Sequence, residues 1–594
     1  MREAKGGCGR PLFFRLLYGL ACALSLGCGS AQAQPDPEGA SGWQPKALAH
    51  AQRQMVAAAH PLAVEAGLQI LRVGGSAVDA AIATQLVLGL VEPQSSGLGG
   101  GAFLLHWDAA QARVRSYDGR ESAPAAARPG RFLDALGRPL PYHEAVVSGL
   151  SVGVPGLLRM LELAHARHGR LAWAALFAPA IRLAEDGFPM SPRLHRLLSG
   201  DRHLREDPAA RALYYDAAGG ARTVGERIVN PAYAASLREI AARGADAFYG
   251  GQIARDIVAA VRAHLRPGDL ALADLAGYRA RERAPVCGPF RAYRLCSMGP
   301  PSAGGIGVLQ ILGLLERSGF AMAMPDSAQD WERALHLYAE AGRLAYADRA
   351  RWIADPDFVP QPVEGLLAPA YLDERAALIG ERSMGWARPG TPRGAPLAWG
   401  PGGESEAAGT SHVSVVDTRG DALAMTSTIE SQFGSRIMVR GFLLNNQLTD
   451  FSFNPEFEGR PAANRVEPGK RPRSSMAPTL VFGPEAVPAA GLRLTLGSPG
   501  GPAIINYVAK ALVGTLAWGL DIQAAISLPN FGSANGPTLI ERGSPWEEHG
   551  DALAARGHIL SFRPLTSGTQ GIETHAGALR GGADPRREGV ARGD

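Results

Sequence analysis

Gly409-Thr410-Ser411-His412-Val413-Ser414-Val415-Val416-Asp417, then Thr418-Arg419-Gly420, then Asp421-Ala422-Leu423-Ala424-Met425-Thr426-Ser427-Thr428-Ile429: the reading of this stretch decides the fold. Both flanks alternate with period two and are rich in β-branched residues. The pattern predicts two strands joined by a tight turn at Thr418-Arg419-Gly420. The segment before it, 383–409, is rich in Gly, Pro, Ala and Ser with weak periodicity, and reads as an exposed linker. A flexible linker that abuts the first strand of a sheet suits a self-processing junction. A threonine heading a strand is ordinary taken alone, because its branched side chain fits a pleated sheet.

Further strands follow in GFLLNN, MAPTLVF and LRLTLGSPG. On the N-terminal side, the run from His60 to Pro93 has apolar residues at three- and four-residue spacing, and Gly74-Gly75 breaks it into two helices. GLGGGAFLLHWD and VRSYDGRE read as strands, residues 155–280 as mostly helices, and residues 305–350 as helix again. PVCGPFRAYRLCSM reads as a hairpin. If Phe290 pairs with Tyr293, then Cys287 and Cys296 stand opposite each other. Both a disulfide and two buried thiols fit that register, and neither Cys has metal-ligand spacing.

The chain has 594 residues, 46% hydrophobic and 20% charged, with a net charge of +4 spread along its length. This is a globular balance, and it calls for neither a nucleic acid nor an anionic membrane as partner. Arg2, Lys5, Arg10 and Arg15 precede an apolar stretch from Leu16 to Gly27 that is too short for a transmembrane helix. Ala31-Gln32-Ala33 then gives a small-x-small cleavage pattern. Residues 1–33 are thus read as an export signal and 34–50 as a disordered lead-in, in a periplasmic or secreted protein. A competing reading makes Cys28 a lipid acceptor.

The stretch around Thr410 closely resembles the small-subunit start of bacterial γ-glutamyltransferases, which are N-terminal-nucleophile hydrolases. The resemblance extends, in the family's order, over roughly residues 55–585. It takes in GLGGGAF (97–103), DGRESAP (118–124), PPSAGG (300–305), YADRARWIADPDF (346–358), Thr428 in TSTI, LNNQLTDF (444–451), KRPRSSMAPT (470–479) and GSPGG (497–501). It implies an α+β fold, a four-layer αββα sandwich. The sandwich is formed jointly by a large chain (51–409) and a small chain (410–594) cut from one precursor. The chains stay together as a heterodimer, and the fold has no metal or organic cofactor. The expected substrates are γ-glutamyl amides such as glutathione, with water, an amino acid or a dipeptide as acceptor.

In this class the base for the poorly nucleophilic hydroxyl is the α-amine of the nucleophile itself, which exists only once the Gly409–Thr410 bond is cut. Gly409 would let the backbone bend for that cut. The resemblance assigns Thr410 and Thr428 to catalysis, and the amides of Gly500 and Gly501 to the oxyanion. A γ-glutamyl group carries an α-carboxylate and an α-ammonium. Arg120 suits the carboxylate, with Ser474 and Ser475 as added donors. Asp450, Glu430 and Gln447 suit the ammonium. Each has a plainer reading: a surface ion pair for Arg120, turns for the serines and Asp450, a tight turn for the glycines. His412 is read as structural, and the two Arg-Gly-Asp tripeptides as chance in an Arg- and Gly-rich chain.

Three departures from the family pattern stand out. Glu430 replaces a frequent Asn, as in a subset of bacterial members. The stretch between Asp450 and Lys470 is shorter than in members with a lid loop, so an open or half-covered cleft is expected. Arg473 stands where Leu is frequent. Two rival functions remain at this stage. One is a glutaryl-type β-lactam acylase of the same superfamily, whose substrate lacks the α-amine. The other is an inactive homologue, against which Gly409-Thr410, Thr428 and GSPGG argue.

Overall fold

The hairpin around Thr410 forms the middle of a seven-stranded antiparallel sheet. The computed structural model describes residues 39–403, 409–483 and 491–594, so the export signal and Cys28 lie outside the described residues. In chain order the strands of the two main sheets are β1 (Ala49–Ala51), β2 (Met55–Ala58), β3 (Gly101–Asp108), β4 (Arg113–Gly119), β5 (Arg281–Arg283), β6 (Val286–Phe290), β7 (Tyr293–Ser297), β8 (Thr410–Val416), β9 (Ala422–Thr428), β10 (Thr479–Phe482), β11 (Leu492–Gly497), β12 (Gln570–His575), β13 (Ala578–Ala583) and β14 (Val590–Gly593). One sheet runs β14-β2-β8-β9-β3-β4-β5 and the other β1-β13-β12-β11-β10-β7-β6. Both mix strands from before and after Thr410, so a cut at 409/410 would nick the fold without dividing it.

Helices α1 (Pro61–Arg72) and α2 (Ala77–Val91) cover the outer face of the first sheet. Gly74 at φ +91° and the Ser76–Asp79 capping box set the break between them. Helices α3 (Gly304–Arg317), α4 (Ala328–Trp352) and α5 (Ile504–Leu512) cover the outer face of the second sheet. The result is the four-layer αββα sandwich of the N-terminal-nucleophile hydrolases.

Strand alternation decides where Thr410 points. On β8 and β9, Val413, Val415, Leu423 and Met425 pack toward α1 and α2, whereas Ala422 and Ala424 face the second sheet. The register pairs Thr410 with Thr428, His412 with Thr426 and Ser414 with Ala424. Thr410 and Thr428 therefore share the inter-sheet face with these small residues. Ser411 and Ser427, one position over, turn to the helix side, where Ser427 Oγ donates to Gln85 Oε1 of α2 at 2.6 Å. The sheets approach closely: Ser414 Oγ donates to the Thr495 carbonyl of β11 at 3.3 Å. A Cβ on Gly497 would meet the His412 ring at 2.3 Å.

The hairpin of β6 and β7 forms as expected. Cys287 pairs with Cys296 in register and the two are disulfide-bonded. Two other expectations are corrected. Residues 39–50 of the supposed disordered lead-in are ordered against the C-terminal segment. Ser41 N donates to Arg586 O at 2.9 Å, Gln44 N to Pro585 O at 2.8 Å, and β1 pairs with β13. Long-range pairing with residues some 540 positions away leaves no local signal. The expected linker does lie at the surface, with Trp386 and Leu397 exposed, but it is tied down over much of its length. Buried polar side chains of α4 hold it: Met384 N donates to Glu340 Oε2 at 2.9 Å, Arg343 Nη1 to Gly385 O at 2.8 Å, and Gly390 N to Asp348 Oδ1 at 2.9 Å. Residues 404–408 lie outside the described residues, and Gly409 itself is buried.

GLGGG supports the Thr428 strand through close backbone approach. A Cβ on Gly100 would stand 2.1 Å from the Thr428 carbonyl oxygen. Gly100→Ala should therefore push β9 off β3 and lower the thermal midpoint by the equivalent of about 3 kcal/mol. Gly200→Ala, where an added Cβ has nothing within 4 Å, is the control. Differential scanning fluorimetry checks this, and an unchanged midpoint for Gly100→Ala would contradict the packing account.

Candidate active site

A narrow pocket lies at the Thr410 end of the inter-sheet seam. Its walls are Arg120, Thr410, Thr428, Glu430, Gln447, Asp450, Ser474 and Ser475, with Met476, Gly501 and Ile504. Eight polar residues singled out from sequence thus converge on one point, although they span 355 positions of the chain. Gly501 joins them, while Gly500 lies beside it and does not line the wall. Met476 and Ile504 were missed, because an apolar wall residue carries no chemical signature. Water-accessible space in the pocket is about 20 Å³, room for about one water. The site is thus narrow and lined by buried side chains, where the short stretch between Asp450 and Lys470 led to the expectation of an open or half-covered cleft.

The Gly409 carbonyl beside Thr410 is hydrogen-bonded. Thr428 Oγ1 donates to Gly409 O at 2.5 Å, accepts from Glu430 N at 2.7 Å, and lies 3.5 Å from Thr410 Oγ1. Two hydroxyls thus lie together beside the Gly409 carbonyl, and the Thr428 hydroxyl is hydrogen-bonded to its oxygen. Gly409 is required here for space. A Cβ would meet Glu430 O at 2.4 Å and the Ser431 carbonyl carbon at 2.7 Å. This steric requirement stands beside the expectation that a residue without a Cβ lets the backbone bend there.

Gly500 and Gly501 have φ of +134° and +55°, so the turn reading of GSPGG holds beside any role for its amides. A Cβ on Gly500 would meet the Tyr507 ring at 2.5 Å.

Arg120 is buried and occupied. Its Nε donates to Pro472 O at 3.1 Å, one Nη2 hydrogen bond reaches Arg473 O at 2.7 Å, and the same nitrogen pairs with the Asp450 carboxylate. Gln447 Nε2 donates to Asp450 Oδ2 at 2.6 Å. The presumed carboxylate binder and the presumed ammonium binder therefore neutralise each other across the pocket. A ligand with both charges would replace one ion pair by two. Ser474 Oγ accepts from Met476 N at 3.1 Å, and Ser474 O accepts from Ala303 N of the PPSAGG loop at 2.8 Å. A Cβ on Gly304 in that loop would stand 2.3 Å from Met476 O, which explains why the loop is glycine-rich where it braces the serines.

DGRESAP, ADPDF and KRPRSS meet in one ionic network behind Arg120. Asp118 pairs with Arg471 and with Arg283 Nε at 2.7 Å, and accepts from Arg120 N at 2.8 Å. Asp355 accepts from Arg471 N at 2.8 Å, and Arg283 Nη2 pairs with Asp357 at 2.9 Å. Arg473 now has an account: its Nη1 lies 3.3 Å from the carbonyls of Arg349 and Ala350 at the C-terminal end of α4, where a cation is favoured.

His412 takes no part in the pocket. Its Nδ1 and Nε2 contact Thr426 Oγ1 at 2.9 Å and Ser414 Oγ at 3.0 Å, and burial pushes its pKa down to about 3. Both Arg-Gly-Asp carboxylates are engaged within the fold: Asp421 with Arg170, and Asp594 with Arg72. Among the described residues His336, Glu340 and His558 form the group with metal-ligand proximity. Their hydrogen bonds already satisfy it. His336 Nε2 contacts Gly380 O at 2.8 Å, His336 Nδ1 faces His558 Nε2 at 2.8 Å, and His558 Nδ1 contacts Thr538 Oγ1 at 2.7 Å. Neutral imidazoles donating in relay complete this chain, with burial holding both below the usual histidine range.

The family assignment now stands on independent grounds. The Gamma-glutamyltranspeptidase family profile matches residues 63–593, and this chain belongs to that family. A glutathione hydrolase proenzyme of Bacillus subtilis (strain 168) is 35% identical over 555 residues, covering 91% of each chain. The Acylase ACY 1 proenzyme of Pseudomonas sp. (strain V22) is 36% identical over 551 residues, covering 91% of this chain and 93% of the relative. Among solved structures, cephalosporin acylase from Bacillus halodurans superposes with a TM-score of 0.79 at 27% identity, covering 94% of this chain and 99% of that one. The family is one of enzymes, and the relatives are proenzymes.

Glu121 lies directly behind Arg120, fully buried, with neither carboxylate oxygen hydrogen-bonded and Arg120 Nη1 3.9 Å away. Burial pushes its pKa up to about 8, against the lowering effect of Arg120. The folded protein thus holds a proton that the unfolded chain loses near the ordinary carboxylate pKa. The stabilising contribution is present below that value and is lost as pH rises toward 8. Glu121→Gln should gain thermal midpoint relative to the parent as pH is raised from 5 to 8, by at most about 1.4 kcal/mol per pH unit. A midpoint difference that does not change with pH would contradict this.

Proposed function

We propose that this chain is a self-cleaving γ-glutamyltransferase that acts on glutathione and related γ-glutamyl compounds outside the cytoplasm. The observation that carries the reading is one pocket in which the Thr410–Thr428 hydroxyl pair meets both a guanidinium and a set of anionic and amide acceptors. Such a pocket matches a γ-glutamyl group, with a carbonyl to attack at one end and an α-carboxylate and α-ammonium at the other.

In the precursor Thr410 Oγ1 attacks the Gly409 carbonyl carbon while the Thr428 hydroxyl stabilises the oxygen. The peptide becomes an ester, water cleaves it, and a large chain ending at Gly409 separates covalently from a small chain beginning at Thr410. The freed α-amine of Thr410 then serves as the base. In turnover Thr410 Oγ1 attacks the γ-amide carbonyl, and the amides of Gly500 and Gly501 receive the oxyanion. The amine leaves, and water or an amino-acid or dipeptide amine takes the γ-glutamyl group. Arg120 with Ser474 and Ser475 binds the α-carboxylate, while Asp450, Glu430 and Gln447 receive the ammonium. Substrate binding opens the Arg120–Asp450 pair. No step calls for a metal or organic cofactor. Among the described residues no helix is long and apolar enough to cross a membrane.

A second reading, a glutaryl or cephalosporin acylase, is favoured by the ACY 1 and cephalosporin acylase likenesses. The three ammonium acceptors argue for the first, since a glutaryl group has no amine to occupy them.

Release of nitroaniline from γ-glutamyl-p-nitroanilide, compared with glutaryl-p-nitroanilide, tests the choice. The γ-glutamyl compound should be turned over with the higher kcat/KM. Thr410→Ala should abolish activity, and Thr428→Val, which removes a donor to the scissile carbonyl, should slow self-cleavage by roughly 100-fold. A preference for the glutaryl compound would favour the acylase, and full activity in Thr410→Ala would overturn the nucleophile assignment.

A further inference from the structure

Glu430 occupies a backbone position that does not suit it. Its φ is +79°, in the left-handed region that Gly and Asn adopt readily and a longer side chain adopts at a cost of roughly 1 kcal/mol or more. The residue is nonetheless buried in the pocket wall. Strain of this kind persists where surrounding contacts hold it in place. Here they come from two sides. Asn446 Nδ2 donates to Glu430 Oε2, and Asn446 Oδ1 in turn accepts from Ser431 N at 2.9 Å, which locks the amide orientation. Tyr142 Oη donates to Glu430 Oε1 at 3.0 Å.

Tyr142 belongs to the stretch before Thr410 and Glu430 to the stretch after it. The tyrosine sits on a short helix, Tyr142–Val146, and its ring lies 6.1 Å from that of Phe453, which stacks on Phe132 at 4.6 Å. This aromatic group, with Leu448 and Phe451, also underlies the turn Gln447–Asp450 that carries the other two acceptors. Burial first, and then the Glu430 charge, hold the phenol well above its usual pKa, so it remains a donor.

We propose that Tyr142 is a positioning residue that aims the Glu430 carboxylate into the pocket and so sets selectivity for acyl groups bearing an α-ammonium over their deamino counterparts. The inference rests on the γ-glutamyl reading above. The phenol fixes one oxygen of a side chain with three rotatable bonds on a strained backbone. Without it Oε1 loses the donor that fixes its direction while Asn446 still holds Oε2, so the carboxylate's aim toward the ammonium loosens, and the Arg120 side of the pocket, which a deamino acyl group also uses, is untouched.

The test uses the self-cleaved enzyme and Tyr142→Phe, which keeps the ring and its stacking. Wild type is assayed first. Competitive inhibition by L-glutamate that is stronger than by glutarate establishes ammonium recognition, and the reverse order means the γ-glutamyl reading itself has failed. In Tyr142→Phe the KM for γ-glutamyl-p-nitroanilide and the Ki for L-glutamate should each rise roughly tenfold, with kcat within about twofold and the Ki for glutarate unchanged. In a Glu430→Asn background the same Tyr142→Phe change should have less than about a twofold effect on the L-glutamate Ki. Equal shifts in both Ki values would assign Tyr142 a general packing role and overturn the proposal, as would an unchanged L-glutamate Ki. Complete self-cleavage and a thermal midpoint near wild type, measured on the same sample, confirm that the variant has folded.

Discussion

The hydrogen bond from the Thr428 hydroxyl to the Gly409 carbonyl is the contact around which the rest of the molecule is arranged. It exists because β8 and β9 pair with Thr410 opposite Thr428, and a slip of β8 by one residue would turn the Thr410 hydroxyl to the helix side, away from Thr428. The register is held on three sides. Small residues let the second sheet approach from one face, α1 and α2 pack on the other, and the glycines of GLGGG bring β3 against the Thr428 backbone. Even Gly409 is explained by this crowding, since any side chain there would strike the carbonyls of Glu430 and Ser431.

A second constraint is electrostatic. The pocket keeps its charges in opposed pairs: Arg120 with Asp450 inside, and Asp118 with Arg283 and Arg471 behind. Buried charges are tolerated only when paired, and breaking one partner away is costly. A zwitterionic acyl group is suited to open the Arg120–Asp450 pair, because it offers each side a replacement. A simple acid satisfies Arg120 and offers Asp450 no cation in exchange. Selectivity and stability thus draw on the same side chains, and Glu121, buried without a hydrogen bond behind Arg120, links that arrangement to pH.

Much of this was legible in the sequence where local pattern carries the information. Period-two alternation around Thr418-Arg419-Gly420 gave the hairpin, Gly74-Gly75 gave the helix break, and the ordered motifs gave the family and eight polar pocket residues. What escaped was long-range or apolar. Nothing near residues 39–50 announces a partner at 585–589. The polar groups of α4 that bind the 383–403 segment look like ordinary helix positions. Met476 and Ile504 shape the pocket without chemistry of their own. Tyr142 was missed because a tyrosine in a Pro-rich loop carries no signal, and its importance appears only through Glu430. Arg473 was noticed as a departure, but its role as a cap on α4 needed the third dimension.

The central claim is that this geometry cuts its own backbone before Thr410. Intact mass and N-terminal sequencing of the purified protein address it directly. Two chains that co-purify are expected, the smaller beginning Thr-Ser-His-Val. A single uncut chain after prolonged incubation, or a cut at any other bond, would contradict it.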